Sequence, residues 1–282
     1  MSVFGRIGII FAKKWIGGIT VSDAMLEAER LNGCGERAIF NYLGEDLVDP
    51  AKVRKTVAVY LNILKSMERG KIMGSIAVKP TQLGLSISYG LFLSNYEKIV
   101  SYADRIGRFV WMDMEDYLVV EDSIKAYLHA LKKHGNVGIC VQSKLMRSLG
   151  DIKLICRKGG IVRLVKGAYA TRKGVTYLKK TDIDRNYRVC MEYLFRNSKA
   201  FMIATHDDKM IEKAILLEGK YSRRAMFGML KGIRPRLALE LASKKEDMNI
   251  YLPFGEEWLA YSGRRLKELE NTVLILRSVV GG

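Results

Sequence analysis

Apolar positions along the chain fall into two rhythms that alternate. Helical spacing comes first: Val21, Met25, Ala28 and Leu31 follow the i, i+3, i+4 rule, with Thr20 or Ser22 available as a cap. Short β-rich runs then recur at 38–43, 74–79, 109–114, 137–142, 161–165, 201–205, 225–229 and 249–252. Between them lie segments of helical character, among them 50–68, 121–134, 184–197 and 208–217. Strands that each feed a crossover helix predict parallel βα units, and a closed (β/α)8 TIM-type barrel is the economical arrangement. An open doubly wound sheet is the main rival. It is disfavoured because no GxGxxG opens any of the helices. The 282 residues hold only four prolines and no Ser/Pro/Gly-rich linker. A single domain over 1–282 is therefore expected, with 1–37 as an N-terminal helical extension.

Chemistry collects where the runs end. Glu45 follows the first run and Lys79 closes the second, while Asp113 and Glu115 follow the third. Gln142 closes the fourth, Arg163 through Tyr169 the fifth, Thr205-His206-Asp207 the sixth, and Tyr251 stands in the eighth. In a parallel barrel these ends share one face, where catalytic groups sit. Each residue also has a plainer reading: Lys79 as an ion-pair partner of Asp113, His206 as a satisfied polar side chain.

After the last run, a Pro-Phe-Gly turn leads into a helix with Glu256 and Glu257 in its first turn. Tyr261, Arg264, Arg265 and Glu268 are spaced three and four apart and share one face. Paired arginines beside an aromatic ring suit a small ligand with a carboxylate at one end and an apolar body at the other, because the guanidinium fork takes a carboxylate in bidentate fashion. A solvated basic helix with Tyr and Trp beneath it is the alternative.

Composition narrows the class. Hydrophobic content of 49% with 27% charged residues describes a soluble globular chain. The longest uncharged run, 80–96, is too polar for hydrocarbon, and the apolar run 7–12 is short for a signal peptide. Cys34, Cys140, Cys156 and Cys190 are scattered, so neither structural zinc nor a disulfide framework is expected. The expected location is cytoplasmic. A net charge of +17 is compatible with nucleic acid, an anionic membrane or a lysine-rich surface. No nucleic-acid module is recognisable, which leaves solvated surface first and peripheral contact with the inner face of the cell membrane second.

Taken together, the motifs resemble those of the proline dehydrogenase family, the flavin-dependent enzymes that oxidise L-proline. The similarity is collinear from about Lys14 to Leu269. It is carried by Trp15-Ile-Gly-Gly-Ile-Thr, Tyr42-Leu-Gly-Glu45, Val78-Lys79-Pro-Thr-Gln-Leu-Gly84 and Trp111-Met-Asp113-Met-Glu115. Val162-Arg163-Leu-Val165-Lys166-Gly167-Ala168-Tyr169, Ala204-Thr205-His206-Asp and the closing Tyr251, Arg264, Arg265 and Glu268 complete it.

The resemblance implies a barrel whose last helix lies across its mouth, with flavin over the strand ends and proline between the two. Arg264, Arg265 and Lys79 would hold the carboxylate. Tyr169, Leu230, Tyr251 and Tyr261 would wall the ring, and Asp113 would orient the arginines, with Glu45 as a gate. Gln142, Arg163, Val165, Lys166, Gly167, Ala168, Ala204, Thr205, His206 and Glu268 would hold the flavin. The implied reaction is hydride transfer from proline C5 to flavin N5, giving Δ1-pyrroline-5-carboxylate, with electrons passed to a membrane quinone. Oligomeric state stays open; hydroxyproline is the alternative substrate, and a non-catalytic basic barrel that binds nucleic acid is the alternative from another class.

Three positions depart from the family pattern. Gly228 stands where several members have glutamine, Ala170 where some have a bulky residue, and Ser143-Lys144 where many have a small residue then an aromatic. By the resemblance, all three concern the cofactor's distal half more than the chemistry; FAD is expected on family grounds, with FMN as the open alternative.

Overall fold

Strands β1 (Arg37–Tyr42), β2 (Gly74–Val78), β3 (Phe109–Met112), β4 (Val137–Gln142), β5 (Ile161–Val165), β6 (Phe201–Ala204), β7 (Met226–Leu230) and β8 (Asp247–Phe254) form a closed barrel in sequence order. The computed structural model describes residues 14–259 and 261–263. Every neighbouring pair is parallel, including β1 with β8, where Ile39 faces Tyr251.

Crossovers are made by α2 (Pro50–Arg69), α3 (Tyr89–Arg105), α4 (Val120–Leu131), α5 (Ser148–Arg157), α6 (Lys180–Asn197), α7 (Asp208–Tyr221) and α8 (Pro235–Ser243). Before them, α1 (Val21–Gly33) starts at Thr20, which shares a reciprocal capping box with Asp23. Its buried Ala24, Ala28 and Leu31 pack over β1 and β8, covering the seam where the barrel closes.

Alternation sorts the strand residues into two cores. Phe40, Ile76, Val110, Ile139, Leu164, Ile203, Phe227 and Leu252 point out and pack beneath the helices. Ile39, Ala77, Trp111 and Met202 point in and form a separate cluster inside the barrel, packed by Phe109, Ile161, Met226 and Tyr251. Two residues further along their strands, the inward places pass to Asn41, Lys79, Asp113 and Ala204. An apolar plug therefore fills the barrel below, and a largely polar layer lies above it at the C-terminal ends.

Every predicted strand is present, β4 and β5 with the expected bounds and the others with shifted ends. Lys79, Asp113 and Thr205 fall just past β2, β3 and β6, while β8 is longer at both ends than the 249–252 expected. The helices α3, α5 and α8 had no explicit place in the sequence reading. Pro253 lies inside β8 without breaking it, because pairing with β7 ends at Tyr251 and only the β1 side is paired at this position.

After β8 the chain turns at Gly255 and residues 258–259 and 261–263 are helical. Tyr261 is buried against Ile16 and Leu43, with Trp15 and Trp258 beside it. Leu43 follows the end of β1, so this helix begins at the barrel mouth, as expected. Arg264, Arg265 and Glu268, and the first thirteen positions, lie outside the described residues. Among the described residues, no helix is long and apolar enough to cross a membrane, and no cluster of His, Cys, Asp and Glu could hold a metal ion.

The plug leaves no room at Gly138 on β4, where a β-carbon would lie 2.4 Å from Trp111 Cζ3 and 2.9 Å from Phe109 Cε1. Gly138→Ala is expected to destabilise the protein by about 1–3 kcal/mol through overpacking. Denaturant unfolding checks this, with a lower midpoint at unchanged slope as the expected result.

Candidate active site

Four strands converge on one buried ion pair. Arg163, inward on β5, is 4% exposed and donates through Nη2 to Asp113 Oδ1, which reaches it from the end of β3. The second carboxylate oxygen, Oδ2, accepts from the Tyr251 hydroxyl on β8 at 2.6 Å. The guanidinium also stands over the Trp111 and Tyr251 rings, 5.4 and 5.5 Å from their centroids. Burial disfavours its charge, yet the Asp113 carboxylate outweighs this and raises the Arg163 pKa above its ordinary value. Burial and the same carboxylate hold the Tyr251 phenol well above its usual range, so it stays a neutral donor. Arg163 Nε and Nη1 are buried without an oxygen or nitrogen partner among the described residues, and the Cys140 thiol lies alongside.

Next to this pair is a second polar group. Lys79 Nζ lies 3.2 Å from Glu45 Oε2, which also accepts from the Tyr169 hydroxyl at 3.3 Å. Lys79 thus pairs with Glu45, and the alternative partner, Asp113, is engaged by Arg163 and Tyr251. Burial, with Glu115 and Glu45 nearby, drives the Tyr169 phenol upward and keeps it protonated.

The segment after β5 is a backbone cradle. Gly167 has φ +107°, and a β-carbon there would lie 2.6 Å from Gln142 Oε1 and 3.2 Å from Lys144 Cβ. Gln142 is buried, and its amide donates to the Glu115 carbonyl at 2.7 Å and the Met114 carbonyl at 3.3 Å. Lys144 donates to the Tyr169 carbonyl. At Gly228, Met202 Sδ lies 2.9 Å from where a β-carbon would stand, so Met202 fills space that a larger residue would need.

Above the plug these groups line a cavity of about 1400 Å³, well beyond what one small amino acid fills. Glu45, Lys79, Asp113, Tyr251 and Tyr261 stand on the side of β8 and β1–β3. Lys180, Arg185, Arg188, Lys209 and Arg234 line it on the side of β5–β7, where the N-termini of α6, α7 and α8 begin. Lys166 there lies 2.6 Å from both Asp184 and Asp207. Burial would raise those two carboxylates, but the Lys166 ammonium brings both below their ordinary value.

The proline dehydrogenase family model matches residues 24–274. The chain belongs to the proline dehydrogenase family. It is 30% identical over 267 residues to proline dehydrogenase 2 of Bacillus subtilis, covering 94% of this chain and 88% of that one. Identity to the proline dehydrogenase of Deinococcus radiodurans is 28% over 280 residues, covering 96% and 90%. Among solved structures, proline utilization A from Bdellovibrio bacteriovorus superposes with a TM-score of 0.87 at 22% identity, over 95% of this chain and 34% of the longer one. That identity bears on the fold alone.

The cavity brings together most of the positions that the family resemblance singled out: Lys79, Asp113, Tyr169, Leu230, Tyr251 and Tyr261 on one hand, and Gln142, Arg163, Val165, Lys166, Gly167, Ala168, Ala204, Thr205 and His206 on the other. His206 is in addition a structural tie, since its Nε2 accepts from the Leu230 amide at 2.9 Å. Thr205 Oγ1 likewise accepts from the Asp207 amide at 3.2 Å. Sequence reasoning missed Asn41, Lys180, Arg185, Arg188, Lys209 and Arg234. The two α6 arginines lie on a helix that reads as an ordinary solvated face. Their position one and two turns into the helix that follows β5 was the available signal.

Asp113→Ala would leave the Arg163 charge buried without its carboxylate. A loss of about 3–5 kcal/mol in unfolding free energy is expected, read from urea denaturation of the purified variant beside the parent protein.

Proposed function

We propose that this chain oxidises L-proline to Δ1-pyrroline-5-carboxylate with FAD as cofactor, and passes the electrons to a quinone. Family membership supports the proline and flavin parts of this reading. The single observation that carries it further is the shape and polarity of the cavity above the barrel plug.

The residues present fit a flavin. Arg163 places a fixed positive charge in the cavity wall, Gly167 leaves its backbone open to close approach, and helix N-termini with basic side chains stand at the far side. Arg163, Gln142 and the 165–168 segment would hold the ring system. Lys180, Arg185, Arg188, Lys209 and Arg234 would take the phosphates, and their number favours the diphosphate of FAD over the single phosphate of FMN. When bound, flavin supplies hydride acceptance at N5 from proline C5.

The chain's own groups bind and orient. Lys79, with Arg264 and Arg265 of the last helix, is assigned the substrate carboxylate, which selects an amino acid over a simple amine. Tyr169, Leu230, Tyr251 and Tyr261 wall the ring and exclude water. The phenols of Tyr169 and Tyr251, both partly buried, have raised pKa values and present apolar faces without charge. Hydride loss from the neutral amine leaves an iminium, so no side-chain base has to remove a proton in that step. The charge of +17 suits peripheral contact with an anionic bilayer that holds the quinone, at roughly 1 kcal/mol for each cation close to its surface.

Purified protein is expected to show flavin absorption that bleaches on anaerobic addition of L-proline and returns on addition of a soluble quinone. Mass analysis of the released cofactor separates FAD from FMN. A flavin that stays oxidised in excess proline would overturn the substrate, and a protein that neither carries nor takes up flavin would overturn the whole reading.

A further inference from the structure

Glu115 is the buried carboxylate next to the site for which the reaction has no use. It is 3% exposed, two residues beyond Asp113. Both of its oxygens accept hydrogen bonds from one residue: Oε2 from the Thr81 amide at 2.8 Å and Oε1 from the Thr81 hydroxyl at 2.6 Å. Thr81 in turn holds the loop after β1. Its Oγ1 accepts from the Asp46 amide at 2.9 Å and its carbonyl accepts from the Leu47 amide at 3.3 Å. Asp46 is a non-glycine residue in left-handed conformation, φ 53°, and immediately precedes it stands Glu45, in contact with Lys79 and Tyr169. On its other side the Glu115 carbonyl accepts from the Gln142 side chain. The loops after β1, β2 and β3 and the end of β4 therefore meet at this one residue.

We propose that Glu115 is a positioning residue for substrate binding: its ionised carboxylate clamps Thr81, and through Thr81 it fixes the loop that carries Glu45 against Lys79 and Tyr169. The clamp depends on both oxygens acting as acceptors. Protonation turns one of them into a donor facing the Thr81 hydroxyl, which already accepts from Asp46. Burial pushes the Glu115 carboxyl up to about 7, opposed by the Thr81 hydrogen bonds and by Lys79, with Asp113 adding to the rise. The other titratable groups facing it are Tyr60 from α2 and Tyr169 from the loop after β5, both held neutral. A folded-state pKa of about 7 means that the clamp is half-formed near that pH, completes as pH rises beyond it and loosens as pH falls through it.

The role in proline binding rests on the activity proposed above, whereas the clamp itself does not. Two measurements keep them apart. Amide exchange of the peptide spanning 43–49, corrected for intrinsic exchange, is expected to speed up about tenfold in Glu115→Gln and Thr81→Val, with the double variant no faster than either single one. In the parent protein the same peptide gains protection as pH rises from 6 to 8, and Glu115→Gln abolishes that step. In turnover with proline, Glu115→Gln is expected to raise KM about tenfold while kcat stays within about twofold. Unchanged exchange in both single variants, or additive effects in the double variant, would overturn the clamp. Faster exchange with an unchanged KM for proline would overturn the positioning role. If the parent protein does not turn over proline, the exchange measurement still decides whether the clamp exists.

Discussion

A positive charge fully enclosed in a protein is tenable only with a partner held close by, and in this barrel that requirement organises the site. Arg163 and Asp113 are fifty positions apart in sequence and come together because β5 and β3 each place an inward residue one layer above the plug. Once the pair forms, the carboxylate's remaining oxygen fixes the Tyr251 hydroxyl, and the aromatic faces of Trp111 and Tyr251 flank the guanidinium. One edge of the arginine is thereby occupied. The Nε and Nη1 atoms keep no oxygen or nitrogen partner among the described residues, in a side chain that lines the cavity. Loss of either charge would strand the other, which ties the stability of the barrel to the polarity of its mouth.

The division of the barrel into an apolar plug and a polar layer follows from strand alternation and little else. Ile39, Ala77, Trp111 and Met202 fill the interior at one level, and the next inward positions carry Asn41, Lys79, Asp113 and Ala204. That alternation is why the fold was so legible. Apolar runs of strand length, separated by helical spacing, allow few other arrangements, and Thr20 with Asp23 marks the first helix start by a local pattern of side chains. Strand ends were less well placed, because Lys79 and Asp113 continue the extended run while their backbones no longer pair on both sides. Helix α3 stayed unassigned because its apolar residues are interspersed with Gly90, Ser94 and Asn95, so its run reads first as a candidate membrane span that is too polar.

The site was legible as a set of residues at strand ends, and the resemblance to one family named most of those that now line one cavity. What spacing could not show is who partners whom. Lys79 meets Glu45, and Asp113 meets Arg163, a choice set by barrel register and not by any local signal. Nor does a sequence reveal that Gln142 spends its amide donors on backbone carbonyls, or that Glu115 ties three loops together through Thr81. The cations on α6 were hidden for a different reason. Arg185 and Arg188 are exposed and belong to a helix whose polar face looks like any other, and only closure of the barrel turns that face toward the cavity.

Under the proposed function, the Arg163 guanidinium that Asp113 holds in the cavity wall would lie close to the electron-accepting end of a bound flavin. The reduction potential of the flavin in the parent protein and in Arg163→Gln, at matched cofactor occupancy, tests this most directly. A positive charge at that place favours the negatively charged reduced form, so the variant should hold its flavin at a more negative potential. Equal potentials in two fully loaded proteins would contradict the account, since the arginine would then face something other than the cofactor.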